Sequence, residues 1–241
     1  MRSLLVITFL LFFILICSPF ILFVEFLIGK KNPELKSRSS LKIVQWVFRV
    51  VIFLSGTKLE VFGRDNIPDD RPVLYVGNHR SYFDTIITYP LVKGLTGYVS
   101  KIEVKKIPIL RNWMYNLHCV FIDRNDMRQG LKAILQCIEH VKNGISINIF
   151  PEGTRNKGKG MLEYKEGSMK IAEKTGCPII PMAITGTAEI FEKHSPWIKK
   201  SHVTVTFGEP IYVDTLSSED RKHLGAYTRD KILSMLPDDM K

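Results

Sequence analysis

The chain has 241 residues, of which 45% are hydrophobic and 24% are charged, and its formal net charge is +10. This is the composition of an ordinary globular protein with one sizeable core, which excludes a disordered or low-complexity chain. The excess of basic over acidic residues implies an anionic partner. Composition alone leaves open a membrane surface, a phosphorylated ligand or a nucleic acid.

An almost wholly apolar run, residues 4–28, opens the chain, and it exceeds the roughly 20 residues that a spanning helix needs. It is too long for a typical signal-peptide core, and no small-x-small cleavage site follows it cleanly, which favours a retained anchor. Basic residues follow the run and Arg2 alone precedes it. The positive-inside rule therefore predicts that the rest of the chain lies at the inner face of the cell membrane. Pro19 and Glu25 leave open a helix that re-enters rather than crosses.

A second apolar stretch, residues 41–56, carries Lys42, Gln45 and Arg49 on one stripe of a predicted helix. At about 24 Å this helix is short for a span, so it is expected to lie in the interface or against the first helix. A core helix of a soluble domain is the alternative. The chain is therefore divided into an N-terminal membrane anchor, residues 1–57, and a main domain, residues 58–241.

Short apolar or alternating runs alternate with helical patterns through the main domain. The predicted strands are 58–62, 73–76, 97–100, 119–122, 145–150, 179–184 and 203–207. The predicted helices follow Ser81 or cover 128–142, 166–174 and 218–236. This order indicates an α/β fold with a mostly parallel sheet flanked by helices, in which ligands bind beyond the carboxyl ends of the strands.

The first polar cluster at a strand end is Asn-His-Arg-Ser-Tyr-Phe-Asp, residues 78–84. Residues five apart on a helix do not face each other, so His79 and Asp84 meet only if His79 lies in the turn before the helix. Ser81 as the N-cap would put Asp84 in the first turn. Asp84 is then either a capping-box acid or the group that orients His79 as a general base, and one role does not exclude the other.

Two further clusters follow strands. After residues 145–149 comes Phe-Pro-Glu-Gly-Thr-Arg, in which Gly153 and Thr154 offer backbone N–H groups and Arg155 offers a planar fork for phosphate or carboxylate. Glu152 is expected to hold a hydroxyl or to brace Arg155. Arg124 ends another strand, so a shared anion site is expected, with Lys101, Lys105 and Lys106 adding positive charge.

The four cysteines form no C-x-x-C pair and no zinc spacing, so neither a disulfide framework nor a metal site is predicted. Cys137 lies at core spacing in a predicted helix, which favours packing over nucleophilic chemistry. No prosthetic group is required by the chemistry considered below.

The order Asn78-His79-x4-Asp84, Phe121-Ile-Asp-Arg124, Phe150-Pro-Glu-Gly-Thr-Arg155 and Ile180-Pro-Met-Ala-Ile184 resembles the four motif blocks of the glycerolipid acyltransferase family. The similarity is greatest to bacterial 1-acyl-sn-glycerol-3-phosphate acyltransferases and covers roughly residues 58 to 210. Arg80 departs from the pattern, where family members often carry Gln or a small polar residue.

The resemblance implies a glycerol-3-phosphate acyltransferase-like fold and acyl transfer from acyl-CoA or acyl carrier protein to the free hydroxyl of lysophosphatidic acid. It implies that His79 is the base and Asp84 its orienting partner. Acceptor binding falls to Glu152, Gly153, Thr154 and Arg155, with Arg124 on the phosphate. Pro181 is implied to shape the acyl or acceptor pocket. The expected partners are membrane phospholipid and the lysophosphatidic acid acceptor, while oligomeric state is left open.

Direct attack on the thioester fits the absence of a G-x-S-x-G motif, and backbone N–H groups near Ser81 are the candidate oxyanion donors. Transfer to another lysophospholipid is the nearest alternative. A hydrolase that uses the same His-Asp pair on water, or a non-catalytic anionic-lipid binder, is a further alternative. No nucleic-acid motif is present, and aromatic residues are not interleaved with basic ones as a stacking platform requires.

Overall fold

Seven strands form one sheet in the computed structural model, which describes residues 1–158 and 160–240. The strands are β1 (Lys58–Phe62), β2 (Leu74–Gly77), β3 (Thr96–Lys101), β4 (Val120–Ile122), β5 (Ser146–Ile149), β6 (Ile179–Thr185) and β7 (His202–Phe207). Each coincides with a predicted strand to within about two residues at either end, because short apolar runs bounded by turn residues are a strong strand signal.

The strand order is β1-β7-β6-β2-β5-β3-β4. The five strands from β6 to β4 are parallel to their neighbours, whereas β7 pairs with β6 in the antiparallel direction and β1 runs parallel to β7. The expected mostly parallel α/β fold is confirmed. Strand β2 lies between β5 and β6, so the segments that follow these three strands meet at one edge of the sheet.

The helices of the main domain are α4 (Phe83–Thr88), α5 (Pro108–Asn116), α6 (Met127–Lys142), α7 (Lys170–Thr175), α8 (Ser218–Lys222) and α9 (Leu224–Met235). Helix α5 was not predicted from the sequence. The helix expected over 218–236 is interrupted at His223, and the first part of 166–174 is a 3₁₀ turn, Glu166–Met169.

The N-terminal segment is a helical hairpin. Helices α1 (Arg2–Phe12) and α2 (Ser18–Lys31) are joined without a break by a π-helical turn, Phe13–Cys17. Pro19 explains this turn, because it has no N–H to continue the regular hydrogen-bond pattern. The chain reverses at Asn32, whose side chain accepts a hydrogen bond of 2.9 Å from the Leu35 N–H.

Helix α3 (Pro33–Ser55) then packs back along α1 and α2. It begins earlier than the helix that the sequence predicts at 41–56. Its buried face, which includes Val44, Val47 and Val51, joins the same apolar cluster as Tyr75 of β2 and Tyr98 of β3. The hairpin therefore lies against one face of the sheet. Helices α6, α7 and α9 pack on the other face in a second apolar cluster, in which Cys137 is fully buried as expected.

Among the described residues, one helix, Arg2–Lys31, is long and apolar enough to cross a membrane by length and composition. Most of its apolar side chains are exposed, including Phe12, Phe20 and Phe23. Glu25 is the one acidic residue of this helix. It is buried toward α3, where its carboxylate accepts a hydrogen bond of 2.9 Å from Ser39 Oγ.

Candidate active site

His79 lies in the turn between β2 and α4, at the carboxyl end of the sheet, and it contacts Asp84 as expected. Nδ1 of His79 is 2.8 Å from Oδ2 of the buried Asp84. A carboxylate only accepts, so Nδ1 carries the hydrogen, and in the neutral imidazole Nε2 is then the nitrogen with the lone pair. The ring stacks on Phe150, with centroids 4.5 Å apart, and it lines a large cavity.

Asp84 also closes the start of α4. Its Oδ2 accepts hydrogen bonds from the backbone N–H groups of Arg80 at 2.7 Å and Ser81 at 2.8 Å. In return, Ser81 Oγ accepts from the N–H of Phe83 at 2.9 Å. These are the hydrogen bonds of the expected capping box around Ser81, although the regular helix begins at Phe83 with Tyr82 as its N-cap residue, and the same carboxylate holds His79. One acid therefore starts the helix and fixes the imidazole.

The expectation that backbone N–H groups near Ser81 stabilise an oxyanion is wrong. The N–H groups of Arg80 and Ser81 point to Asp84, and that of Phe83 points to Ser81 Oγ. The N–H of Tyr82 donates to Glu192 at 2.8 Å. Because these four donors are already paired with Asp84, Ser81 and Glu192, they are not free to stabilise an oxyanion.

Glu152 braces the turn that carries His79. Its Oε1 accepts a hydrogen bond of 2.7 Å from the His79 N–H, and its Oε2 accepts one of 3.1 Å from the Leu162 N–H. Burial raises the pKa of Glu152, while these two hydrogen bonds oppose the rise. Gly153 follows in the left-handed region, with φ +74°, which a side chain would strain. Strands β2 and β5 are neighbours, so this contact joins the first and third motif blocks.

Arg155 is paired with Glu192 rather than with Glu152. Its Nη1 donates to Glu192 Oε1 at 3.1 Å, and its guanidinium lies over the ring of Tyr82. Arg155 and Tyr82 both line the large cavity. The planar stack fixes the fork at the cavity wall, with further N–H donors available to a ligand.

Arg80, the departure from the family pattern, does not line either cavity. It donates to the carbonyl oxygens of Gly158 and Gly160. Asn156 adds to this contact, since its N–H donates to the His79 carbonyl at 2.7 Å and its side chain donates to Gly160. The loop after Arg155 is thereby tied to the turn that carries His79.

Arg124 lies at the end of β4, where the sequence predicts an anion site, and it lines a small polar cavity of about 300 Å³. Lys101 and Lys165 line the same cavity, as do Gly153 and Thr154. Burial lowers the pKa of Arg124, and the nearby Glu103 opposes this, so the guanidinium stays charged. Lys101 was expected to add positive charge, whereas Lys165 was not anticipated.

The acids of this small cavity are partly engaged elsewhere. Glu152 is turned to the backbone of His79 and Leu162, and Asp123 accepts a hydrogen bond of 2.9 Å from the Asn125 N–H. Glu103 remains near Arg124. The lining thus carries three cations, Lys101, Arg124 and Lys165, and three carboxylates, of which that of Glu152 is turned to the backbone.

The large cavity has a volume of about 1620 Å³ and a mostly apolar wall. From the polar end, where His79, Arg124 and Arg155 lie, it passes along α4 toward α3, α5 and the first helix. Its apolar lining on that side includes Leu10, Phe13, Ile14, Val44, Val47, Phe48, Tyr89, Tyr98, Ile109, Leu110, Trp113, Met114 and Leu117. A long alkyl chain is the kind of ligand that such a cavity accepts.

A family model described as acyltransferase matches residues 58–185, which cover β1 through β6 and all four motif blocks. The chain belongs to the acyltransferase family. The expected resemblance is therefore confirmed, and the family's first and third blocks are the two segments that Glu152 joins.

Two curated members of the family illustrate the similarity. The 1-acyl-sn-glycerol-3-phosphate acyltransferase of Borreliella burgdorferi is 30% identical over 199 residues, which are 83% of this chain and 80% of the relative. The protein of the same name from Haemophilus influenzae is 29% identical over 205 residues, 83% of this chain and 81% of the relative.

A solved structure from the family has the same fold over nearly its whole length. It is the 1-acyl-sn-glycerophosphate (LPA) acyltransferase PlsC from Thermotoga maritima, with a TM-score of 0.81 and 28% sequence identity. The match covers 97% of this chain and 94% of that protein. The N-terminal hairpin is therefore within the shared architecture.

Proposed function

We propose that the protein transfers a fatty acyl group from a thioester donor to the free hydroxyl of 1-acyl-glycerol-3-phosphate, giving phosphatidic acid. The observation that carries the proposal is the position of the His79–Asp84 pair, at the wall of an apolar cavity and beside a cluster of cations. The names of the relatives favour the same acceptor.

In this mechanism His79 is the general base and Asp84 holds it. Nε2 takes the proton of the acceptor hydroxyl as its oxygen attacks the thioester carbon. The tetrahedral intermediate then breaks its C–S bond, and the proton on Nε2 passes to the leaving sulfur. A positioned base of this kind contributes roughly 10²- to 10⁴-fold to the rate.

No covalent acyl-enzyme is needed for this reaction. The cysteines Cys119, Cys137 and Cys177 are buried, and burial raises their thiol pKa values, to about 11 for Cys119 and about 12 for Cys137. A thiol with a raised pKa is a poor nucleophile at neutral pH. Direct attack by the acceptor is the simpler route.

The acceptor phosphate is assigned to the polar end of the site. Arg124 and Lys101 supply charge there, Gly153 and Thr154 form the turn beside them, and Arg155 presents its fork at the adjoining wall. Charge-assisted contacts from arginine suit a phosphate well. A water molecule as acceptor would need no such cluster, which favours transfer over hydrolysis.

The donor acyl chain is assigned to the apolar arm of the large cavity, which leads away from His79 between α3, α4 and α5. The thioester would then sit at the base, with its carrier outside. A net charge of +10 suits either acidic carrier, coenzyme A or acyl carrier protein.

The N-terminal hairpin is assigned to membrane anchoring. Its first helix exposes a broad apolar surface, while its other side packs on the main domain and lines the large cavity. Lys30 and Lys31 lie in the last turn of α2, which fits an orientation with the catalytic domain at the inner face of the cell membrane. An acceptor that resides in the bilayer then meets the site at the membrane surface.

The test is acyl transfer by the detergent-solubilised full chain from a long-chain acyl thioester. Lysophosphatidic acid, lysophosphatidylethanolamine and no acceptor are run in parallel, each with acyl-CoA and with acyl carrier protein. We expect transfer confined to the phosphate acceptor. Comparable transfer to lysophosphatidylethanolamine would assign another headgroup, acceptor-independent loss of acyl groups would assign a hydrolase, and no turnover with any pair would favour a binding protein.

A further inference from the structure

The segment that connects β6 to β7 contacts the turn that carries His79. Thr187 Oγ1 donates to Oδ1 of Asp84 at 2.6 Å, and both side chains are buried. Thr187 lies outside the four motif blocks and beyond the residues that the family model matches. It is 103 residues away from Asp84 in sequence, so the contact depends entirely on the fold.

This hydrogen bond completes the hold on the Asp84 carboxylate. Oδ2 accepts from His79 Nδ1 and from two backbone N–H groups, whereas Oδ1 accepts from Thr187. A carboxylate held at both oxygens cannot rotate about its Cβ–Cγ bond without losing hydrogen bonds. The plane of the carboxylate sets the direction of the His79 ring, and thus the direction of Nε2.

Glu192, on the same connection, holds the next residues of the turn. Its Oε2 accepts from Ser81 Oγ at 2.6 Å, and its Oε1 accepts from the Tyr82 N–H at 2.8 Å. Oε1 also accepts from Arg155 Nη1 at 3.1 Å. One carboxylate therefore ties the start of α4 to the arginine of the third motif block.

We propose that Thr187 and Glu192 are positioning residues of the acyl transfer: Thr187 orients the Asp84–His79 pair for proton removal, and Glu192 holds Arg155 for the acceptor. This rests on the proposed function of the site. Thr187 contacts Asp84, which orients the base, and Glu192 contacts Arg155, which is assigned to the acceptor; neither contact is made to a core side chain. Loss of each contact should therefore change a different kinetic constant.

Thr187→Val tests the first contact, because valine keeps the branched shape and removes the hydroxyl. We expect kcat to fall about tenfold or more, a part of what a positioned base supplies, with acceptor KM within about twofold of wild type. Thr187→Ser restores the donor and should recover most of kcat. Thr228→Val is the matched control, since the Thr228 hydroxyl is equally buried and donates at 2.8 Å to the Leu224 carbonyl.

Glu192→Gln tests the second contact by removing the charge and keeping the shape. We expect acceptor KM to rise about fivefold, because the charge-assisted hold on Arg155 is weakened, with a smaller change in kcat. Glu166→Gln is the matched control, since the Glu166 carboxylate accepts at 2.9 Å from the Gly225 N–H at the start of α9. A fall in acceptor KM for Glu192→Gln would mean that Glu192 competes with the phosphate, which overturns this assignment.

Wild-type kcat in Thr187→Val, measured beside an inactive His79→Ala, would overturn the positioning role and leave the proposed function standing. A measurement that needs no turnover tests the positioning role separately from the proposed function. The proton on His79 Nδ1, bound to Asp84, is expected to give a downfield NMR signal that is present in wild type and Thr228→Val and shifted or lost in Thr187→Val. If no acceptor is acylated, an unchanged signal in Thr187→Val still overturns the role, and its loss supports it.

Discussion

The guanidinium carbon of Arg155 lies 3.6 Å from the centre of the Tyr82 ring, and the same guanidinium donates to Glu192 at 3.1 Å. Arg155 is thus held flat at the wall of the large cavity before any acceptor enters. A preformed fork lowers the ordering cost of binding a phosphate. Acceptor affinity should therefore depend on planarity as well as on charge.

Arg155→Ala is expected to raise acceptor KM about tenfold or more, since a charge-assisted contact is lost. Arg155→Lys keeps the charge and loses the planar stack on Tyr82, so we expect it to recover only part of this loss. Initial rates against lysophosphatidic acid concentration measure both. Arg71→Lys, at an exposed arginine paired with Asp70, is the control. Full recovery by lysine would show that planarity is unimportant.

Narrowing the apolar arm of the large cavity is expected to shorten the acyl chains that the protein transfers. Val44 of α3 lines this arm, and Val44→Phe adds bulk to its wall. The rate with a C16 or C18 thioester should fall relative to that with a C10 thioester, because the longer chain needs the part of the cavity that the new phenylalanine ring occupies. Leu59→Phe, on β1 and outside the cavity lining, serves as the control. An unchanged ratio of long to short chains would place the acyl group elsewhere.

Membrane attachment is expected to depend on the exposed apolar face of the N-terminal hairpin. Phe12, Phe20 and Phe23 are exposed there, and replacing all three with serine should release much of the protein from vesicles, because buried apolar area drives interfacial binding. Flotation with vesicles that contain an anionic phospholipid measures this. A double variant, Phe62→Ser with Tyr212→Ser, changes exposed aromatic residues of the main domain. Equal loss of binding in both variants would contradict the assignment to the hairpin.

A pair of histidines beneath the hairpin should make stability fall in mild acid. Burial lowers the pKa of His118 to about 4, with His140 and Lys36 adding to the effect, and burial also lowers the pKa of His140. The unfolded chain, with an ordinary histidine pKa near 6.5, binds more protons than the folded chain between about pH 6.5 and 4. The free energy of unfolding therefore falls as the pH falls through that range.

His118→Asn removes one titrating group at a position with φ +57°, a conformation that asparagine tolerates. Its Tm at pH 5 is expected to be closer to its Tm at pH 7 than is the case for wild type. Thermal unfolding at several pH values in the same detergent measures the difference. His223→Asn, at an exposed histidine beside Glu219, is the control. The same loss of Tm in wild type and His118→Asn would contradict the assignment to His118.

The sequence predicts the strands better than the helices around the cavity, and the reason is physical. A buried strand is a short apolar run between turns, which is visible locally. Helix α5 does place Ile109, Leu110, Trp113 and Met114 on one face, which lines the cavity, but it is only nine residues long, and so short an amphipathic pattern is a weak helix signal. The reversed direction of β7 was also invisible, because its connection to β6 suits either direction.

In the candidate site, too, contacts between residues close in sequence are predictable and contacts between distant residues are not. The contact between His79 and Asp84 spans five residues and follows from a capping motif, so the sequence predicts it. Thr187 and Glu192 reach the same turn from 103 and 111 residues away, and no spacing or composition marks them. The role of Arg80 is equally hidden, because its partners are the carbonyl oxygens of Gly158 and Gly160, which a sequence does not distinguish from other carbonyls.

The central claim is that His79 removes the proton from the acceptor hydroxyl, and comparison of wild type with His79→Ala tests it most directly. The measurement is transfer of a long-chain acyl group from its thioester to lysophosphatidic acid, with Tm recorded for both proteins. We predict that the rate falls by about 10² or more while Tm changes little, because the residue lies in a turn at the cavity wall. Wild-type turnover by His79→Ala would contradict the account.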